Sequence, residues 1–205
     1  ADGDDSVGQA LARWRTLTRT HWARFDAGEV DWLGQRRDRA RDFTGTPMSD
    51  SAADAWFARY VTHYEAASAL FPDAVPALDA LAGHYRHAVL SNSSLRVQEP
   101  KLRGFGVRDR FEVLLCAAEL GVAKPHAAAF HAACRALGLP PSEVLYVGDE
   151  PDIDARGAME AGLTGVWLDR SGTGGRPELI RIASLAELPG LLRGHTRFGA
   201  PSTFG

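Results

Sequence analysis

The amino-acid sequence predicts an α/β protein: a doubly wound parallel sheet preceded by a small all-α lobe. Three observations predict it. From Pro72 onward, short apolar runs alternate with helical stretches of about ten residues. Those runs are mostly apolar, without strict alternation, as strands covered on both faces are. Before that point apolar residues recur every three or four positions and no strand-like run occurs. The expected organisation is therefore a helical lobe over 1–71 and an α/β part over 72–205.

In chain order, Val7, Ala10, Leu11, Trp14, Leu17, Trp22 and Phe25 form one stripe, with Asp4 or Asp5 placed as the cap, so a helix is expected over 6–26. Val30, Leu33, Ala40 and Phe43 carry a weaker second pattern that Gly45-Thr46-Pro47 breaks. A third helix starts near Ser49 and puts Ala53, Trp56, Phe57, Tyr60, Val61 and Tyr64 on one side. Trp14, Trp22, Trp32 and Trp56 read as the core of this lobe. The four strand-like runs lie at 87–90, 111–116, 144–147 and 165–168. Gly172 to Gly175 read as a loop, because they lack the GK[ST] ending of a phosphate loop and no G-x-G-x-x-G stands between a strand and a helix.

A chain of 205 residues, 45% hydrophobic and 24% charged, can bury a sizeable core. A net charge of −3 gives no basic footprint, which argues against nucleic acid or an anionic membrane as partner. There is no apolar run of the roughly 18 residues that a spanning helix needs, and no secretory signal is read. Cys116 and Cys134 are too few for a disulfide scaffold and read as buried free thiols, so a cytoplasmic location is expected. The basic residues are 21 arginines and only two lysines, Lys101 and Lys124, which singles out each lysine.

Ligands of open parallel sheets bind beyond the carboxyl ends of the strands. Three such ends stand out. The run to Leu90 discharges into Ser91-Asn92-Ser93-Ser94, hydroxyls and an amide before a helix, which suit a phosphate or serve as helix caps. Lys124 precedes Pro125, which can begin the next helix, and aims a point charge at the same crevice. The run to Val147 ends in Gly148-Asp149-Glu150-Pro151-Asp152-Ile153-Asp154, a concentration of carboxylates that calls for a cation. Oxygen-only ligands beside a phosphate site favour Mg²⁺, and an EF-hand does not fit because Arg156 and Leu163 stand where oxygen ligands are needed. An acidic helix start accounts for Asp152 but less well for Asp149. The histidine pairs His84/His87 and His126/His131 lack a defensible metal spacing and read as packing or surface residues.

Ser91-Asn92, then Lys124-Pro125, then Gly148-Asp149 with Asp154 beyond, resembles motifs two, three and four of the haloacid dehalogenase superfamily of hydrolases. The resemblance covers about residues 72 to 192, and the helical lobe looks like that family's α-helical cap. It implies a Rossmann-like core, an aspartate nucleophile in a D-x-D-x-[TV] motif on the first, central strand, and hydrolysis of a small phosphorylated metabolite through an aspartyl-phosphate. It implies further that Ser91 and Lys124 hold the phosphoryl oxygens, that Asn92 orients substrate or nucleophile, and that Asp149 and Asp154 hold Mg²⁺. Asp2-Gly3-Asp4-Asp5-Ser6-Val7 superficially matches the first motif, but no apolar run precedes it and it reads as a loop and cap. The expectation is that the nucleophile strand lies upstream of residue 1 and that a groove, or another segment, separates the Ser91 strand from the Asp149 strand.

Three other readings stand beside this one. A 2-haloacid dehalogenase of the same fold would need no metal, and Gly148-Asp149 argues for the phosphatase. A phosphorylated receiver domain orders its acidic pair before its lysine, the reverse of the order here. A non-catalytic relative acting as a binding protein would fit the missing first motif.

Overall fold

The structure is a computed structural model that describes residues 2–194, the side chains of residues 2–5 and 65 excepted. The Asp2 and Asp4 side chains, and the first-motif reading placed on them, lie outside the described residues; their backbone belongs to a helix. The chain divides after Ser68 into two compact units.

The first unit is three helices, α1 (Asp2–Asp26), α2 (Trp32–Thr44) and α3 (Asp50–Ala66). α1 begins at Asp2, ahead of the expected start at residue 6, so Asp4 and Asp5 are not its cap. Asp31 caps α2 by accepting the Gly34 amide, and Gly45 ends it in the left-handed conformation at φ 66°. Trp14 packs against Phe43, Trp56, Phe57 and Tyr60, while Trp22 packs against Phe25 and Trp32. Arg39 is buried between Trp14 and Phe57, its guanidinium 4.9 and 4.8 Å from the two rings.

The second unit runs α4 (Ala74–Leu81), β1 (Ala88–Ser91), α5 (Leu95–Gly104), β2 (Val113–Cys116), α6 (Ala117–Leu120), α7 (Ala127–Leu137), β3 (Leu145–Gly148), a wide helical turn (Pro151–Arg156), α8 (Gly157–Glu160), β4 (Thr164–Leu168), β5 (Ile180–Ile182) and α9 (Leu188–Gly194). All strand pairs are parallel. β5 is the strand that the sequence pattern missed, because three residues are too few to show a period. One apolar core gathers Leu90, Phe130, Cys134 and Leu163, with Val144 and Tyr146 packed on it. The other gathers Leu81, Val166, Ile182 and Leu192, with Leu145 and Val147 packed on it. Successive β3 residues thus face opposite cores, as the pleat requires of a doubly wound sheet. Both cysteines are buried free thiols, and no helix among the described residues is long and apolar enough to cross a membrane.

The strands form two sheets, β1-β2 and β3-β4-β5. His87 and Ser93 turn their carbonyls to Glu112 and Ala118 on the β2 side, so alternation turns Ala88 and Leu90 away from β2. Val144 turns its carbonyl to Thr164, so Leu145 and Val147 turn away from β4. Among the described residues no strand pairs with either of these edges. Across the opening, the Tyr146 hydroxyl donates to the Leu90 carbonyl at 3.0 Å. Burial shows the same opening: three residues of β4 are buried, whereas all four of β3 are half-buried.

The loops around α4 are tied by Asp73, which accepts two bonds from Arg170 at 2.8 and 2.9 Å, one from Ser184 at 2.7 Å and one from the Leu185 amide at 2.9 Å. The Arg170 guanidinium first, against the opposing effect of burial, and then Ser184 and Leu185 hold its carboxyl well below the usual carboxylate range.

Two outcomes are expected. The folded Asp73 value is depressed, so its stabilisation is present above the unfolded value of about 4 and is lost as pH falls through the folded one. Asp73→Asn should lower the urea midpoint at pH 7 and flatten its fall below about pH 4; a midpoint unchanged at pH 7 would refute the clamp. In hydrogen exchange of the 205-residue chain followed by NMR, the Leu90 and Val147 amides should exchange at least about tenfold faster than the paired strand amides of β4. Equal protection would mean that the edges are closed.

Candidate functional site

The site is built where the loops after β1, α6 and β3 converge. Ser91 closes β1, half-buried, with no partner for its hydroxyl among the described residues. Asn92, next along the chain, clamps the lysine loop: its Nδ2 donates to the Lys124 carbonyl and its Oδ1 accepts from the Lys124 amide, each at 2.9 Å. These bonds fix which end of the carboxamide is which. Asn92 therefore spends one N–H and one oxygen lone pair on the Lys124 main chain.

The Lys124 side chain is nearly enclosed, 10% exposed, and so is that of Asp154, at 5%. Lys124 Nζ donates to Asp154 Oδ1 and to the Tyr146 hydroxyl, each at 2.6 Å. Burial alone would pull the ammonium down, yet Tyr146 and Asp154 beside it hold it above its ordinary value, so it is charged at neutral pH. Burial pushes the Tyr146 hydroxyl up to about 12, which keeps it protonated. The second Asp154 oxygen accepts the Glu150 amide at 3.1 Å. Gly148 makes this possible, because a Cβ there would stand 2.3 Å from the Asp154 carboxyl carbon.

Asp149 follows β3 directly and is exposed, and its carbonyl accepts from Trp167 Nε1 at 3.1 Å. Asp152 instead joins surface ion pairs with Arg156 and Arg176. Two expectations are corrected here. Pro125 does not begin the following helix, since α7 starts at Ala127. The first free amide of α5, Leu95, is taken by the Glu119 carboxylate at 3.1 Å, and Ser94 at the N-cap position makes no side-chain cap bond, so the capping group is Glu119 and not a serine.

Asp149 and Asp154 are the residues here that could hold a cation. Their donor set is oxygen only, and a carboxylate oxygen accepts more than one partner, so the contacts to Lys124 and Glu150 leave capacity on Asp154. No group of three or more His, Cys, Asp and Glu gathers among the described residues. The set fits Mg²⁺, which binds through one or two carboxylates and keeps water, rather than an ion needing a full protein cage. Trp14 and Trp56 line a groove of about 610 Å³ in the helical unit that contains none of these residues.

Sequence reasoning missed Tyr146 and Glu119. Tyr146 left a signal: it is the one polar side chain in an apolar strand, and a buried phenol has to find a partner. Glu119 left none, since its role depends on where α6 meets α5.

The profile of the haloacid dehalogenase-like hydrolase family matches residues 5–162. Phosphoserine phosphatase of Thermus thermophilus is 34% identical over 181 residues, 82% of this chain and 71% of that protein. Phosphoglycolate phosphatase of Pasteurella multocida is 32% identical over 186 residues, 82% of this chain and 83% of that protein. The pyrimidine 5'-nucleotidase YjjG of Escherichia coli is 36% identical over 128 residues, and there the chain spans 57% of the relative's length. Among solved structures, the magnesium-bound HAD-hydrolase YfnB of Bacillus subtilis superposes with a TM-score of 0.77 at 20% identity, over 90% of this chain and 82% of that one. A 2-haloacid dehalogenase of Pseudomonas syringae superposes with a TM-score of 0.66 at 26% identity, over 89% and 78%.

Gly148→Ala should drive the Asp154 carboxylate off Lys124 and leave a buried charge unpaired. The expected loss is about 3–5 kcal/mol in urea unfolding, matching Asp154→Ala. A loss under about 1 kcal/mol would show that the pair relocates freely.

Proposed function

The chain belongs to the haloacid dehalogenase-like hydrolase family, and we propose that it acts there as a magnesium-dependent phosphomonoester hydrolase on a small phosphorylated metabolite. The observation that carries this reading is the enclosed, charged Lys124 ammonium at the same strand ends as Ser91, Asp149 and Asp154. The phosphatases among its relatives support the substrate class.

In this reading the Lys124 ammonium and Ser91 hydroxyl bind the phosphoryl oxygens and oppose the charge that spreads over them in the transition state. Asn92 acts one step back, by fixing the Lys124 backbone. Asp149 and Asp154 would hold Mg²⁺, which when bound supplies further positive charge against the same oxygens. A carboxylate attacks phosphorus, its O–P bond forming as the ester P–O bond breaks, and the alcohol leaves with a proton from a second carboxylic acid. Water, giving a proton to that second carboxylate, then attacks the aspartyl-phosphate at phosphorus as the bond to the first carboxylate breaks, which releases inorganic phosphate and restores both groups.

We place the attacking carboxylate on a strand seated between β1 and β3, outside the described residues. The two open edges support this: one parallel strand there would pair with Ala88 and Leu90 on one side and Leu145 and Val147 on the other. A cytoplasmic location goes with the reading, since both cysteines are free. The second reading is a metal-free 2-haloacid dehalogenase, favoured by the likeness to the Pseudomonas syringae enzyme.

Phosphate release from p-nitrophenyl phosphate by the full product of the gene, with and without Mg²⁺, tests the proposal. Turnover should require the metal and fall about a hundredfold or more in Lys124→Met. Halide release from 2-chloropropionate without metal, and no phosphate release, would favour the dehalogenase.

A further inference from the structure

Tyr146 lies in β3, two residues before Gly148, and its hydroxyl touches both halves of the site. It accepts from Lys124 Nζ at 2.6 Å and donates to the Leu90 carbonyl at 3.0 Å. A phenol carries one proton, and of its two acceptors the Leu90 carbonyl at 3.0 Å is nearer than Asp154 Oδ1 at 3.5 Å, so the proton faces Leu90 and the lone pairs face the ammonium. The ring is fixed as well: it stands edge-on to Phe130 at 5.1 Å and 88°, and Phe130 is wholly buried.

We infer that Tyr146 is the positioning residue of the phosphoryl site, fixing Lys124 relative to Ser91 for binding of a phosphate group. This deepens the function proposed above and rests on it. An ammonium has three protons. Two are directed to Tyr146 and Asp154, which sets the rotation of the group and leaves the third with one direction open to an anion. Leu90 immediately precedes Ser91, so the same hydroxyl ties the ammonium to the strand end that carries the serine. Without it, Asp154 would be the remaining partner of Nζ among the described residues, and the ammonium would be free to turn about that single bond.

The test is Tyr146→Phe in the full chain, read in two ways. The chain has only two lysines, so isotope-labelled lysine gives at most two side-chain ammonium signals in NMR, and Lys101→Arg assigns them. The Lys124 ammonium signal should be slow to exchange in the parent and should shift or vanish in Tyr146→Phe, with the Lys101 signal and the backbone amides of α7 and β4 unmoved. Affinity for inorganic phosphate, measured by calorimetry, should fall about tenfold. A merely structural role would move the amides and leave the Lys124 signal in proportion to folded protein. An unchanged Lys124 signal overturns the inference whatever the phosphate result. A changed signal in a chain whose parent binds no phosphate would keep the positioning role of Tyr146 toward Lys124 and remove the phosphoryl reading instead. Should Tyr146→Phe fail to fold, the parent decides: a slowly exchanging Tyr146 hydroxyl proton close to the Lys124 side chain is expected, and its absence overturns the inference.

Discussion

The Lys124–Asp154 ion pair, 2.6 Å long and with both side chains almost sealed from water, is the constraint around which the loops of the α/β unit are arranged. Removing either charge from water is costly, and their mutual attraction offsets that only when the remaining hydrogen-bonding capacity is also filled. The surroundings do this piece by piece. Asn92 holds the lysine's backbone, Tyr146 takes one of its protons, and the Glu150 amide takes the second carboxylate oxygen. Gly148 leaves the space that Asp154 fills. These residues come from three separate loops and one strand, β3, so the pair ties together the parts of the chain from which the site is assembled.

The same pair explains how two sheets behave as one site. Among the described residues β1 and β3 share no backbone pairing, and each has an edge without a strand partner. Side chains do the connecting: Tyr146 reaches the Leu90 carbonyl, and the core that contains Leu90 also receives Tyr146 and Phe130. Among the described residues, then, side-chain contacts join the two strand ends. That is why a single phenol hydroxyl can set the relation between a lysine and a serine.

The carboxylates after β3 show how environment separates residues of one type. Asp149 is exposed, Asp152 belongs to a surface network with two arginines, and Asp154 is buried against Lys124. In the sequence they form one acidic run. The wide turn over Pro151–Arg156 distributes them, giving one to solvent, one to the surface ion pairs and one to the interior.

Much of the fold was legible because it rests on local periodicity. Apolar runs separated by helical stretches revealed four of the five strands among the described residues and the doubly wound arrangement, and Gly45 marked a helix end because its conformation suits glycine. The lysine and the acidic run were legible as chemistry, one by rarity and one by concentration of charge. What the sequence determined by itself, then, was the fold class, the strand ends that matter and the residue types gathered there. Only the tertiary structure decided their roles: that Asn92 serves Lys124, that Asp154 pairs with that lysine, that Glu119 closes the helix start, and that Tyr146 joins the two sheets. Each of these is a contact between residues far apart in the chain, set by how helices and strands pack, and local pattern carries no record of such distances.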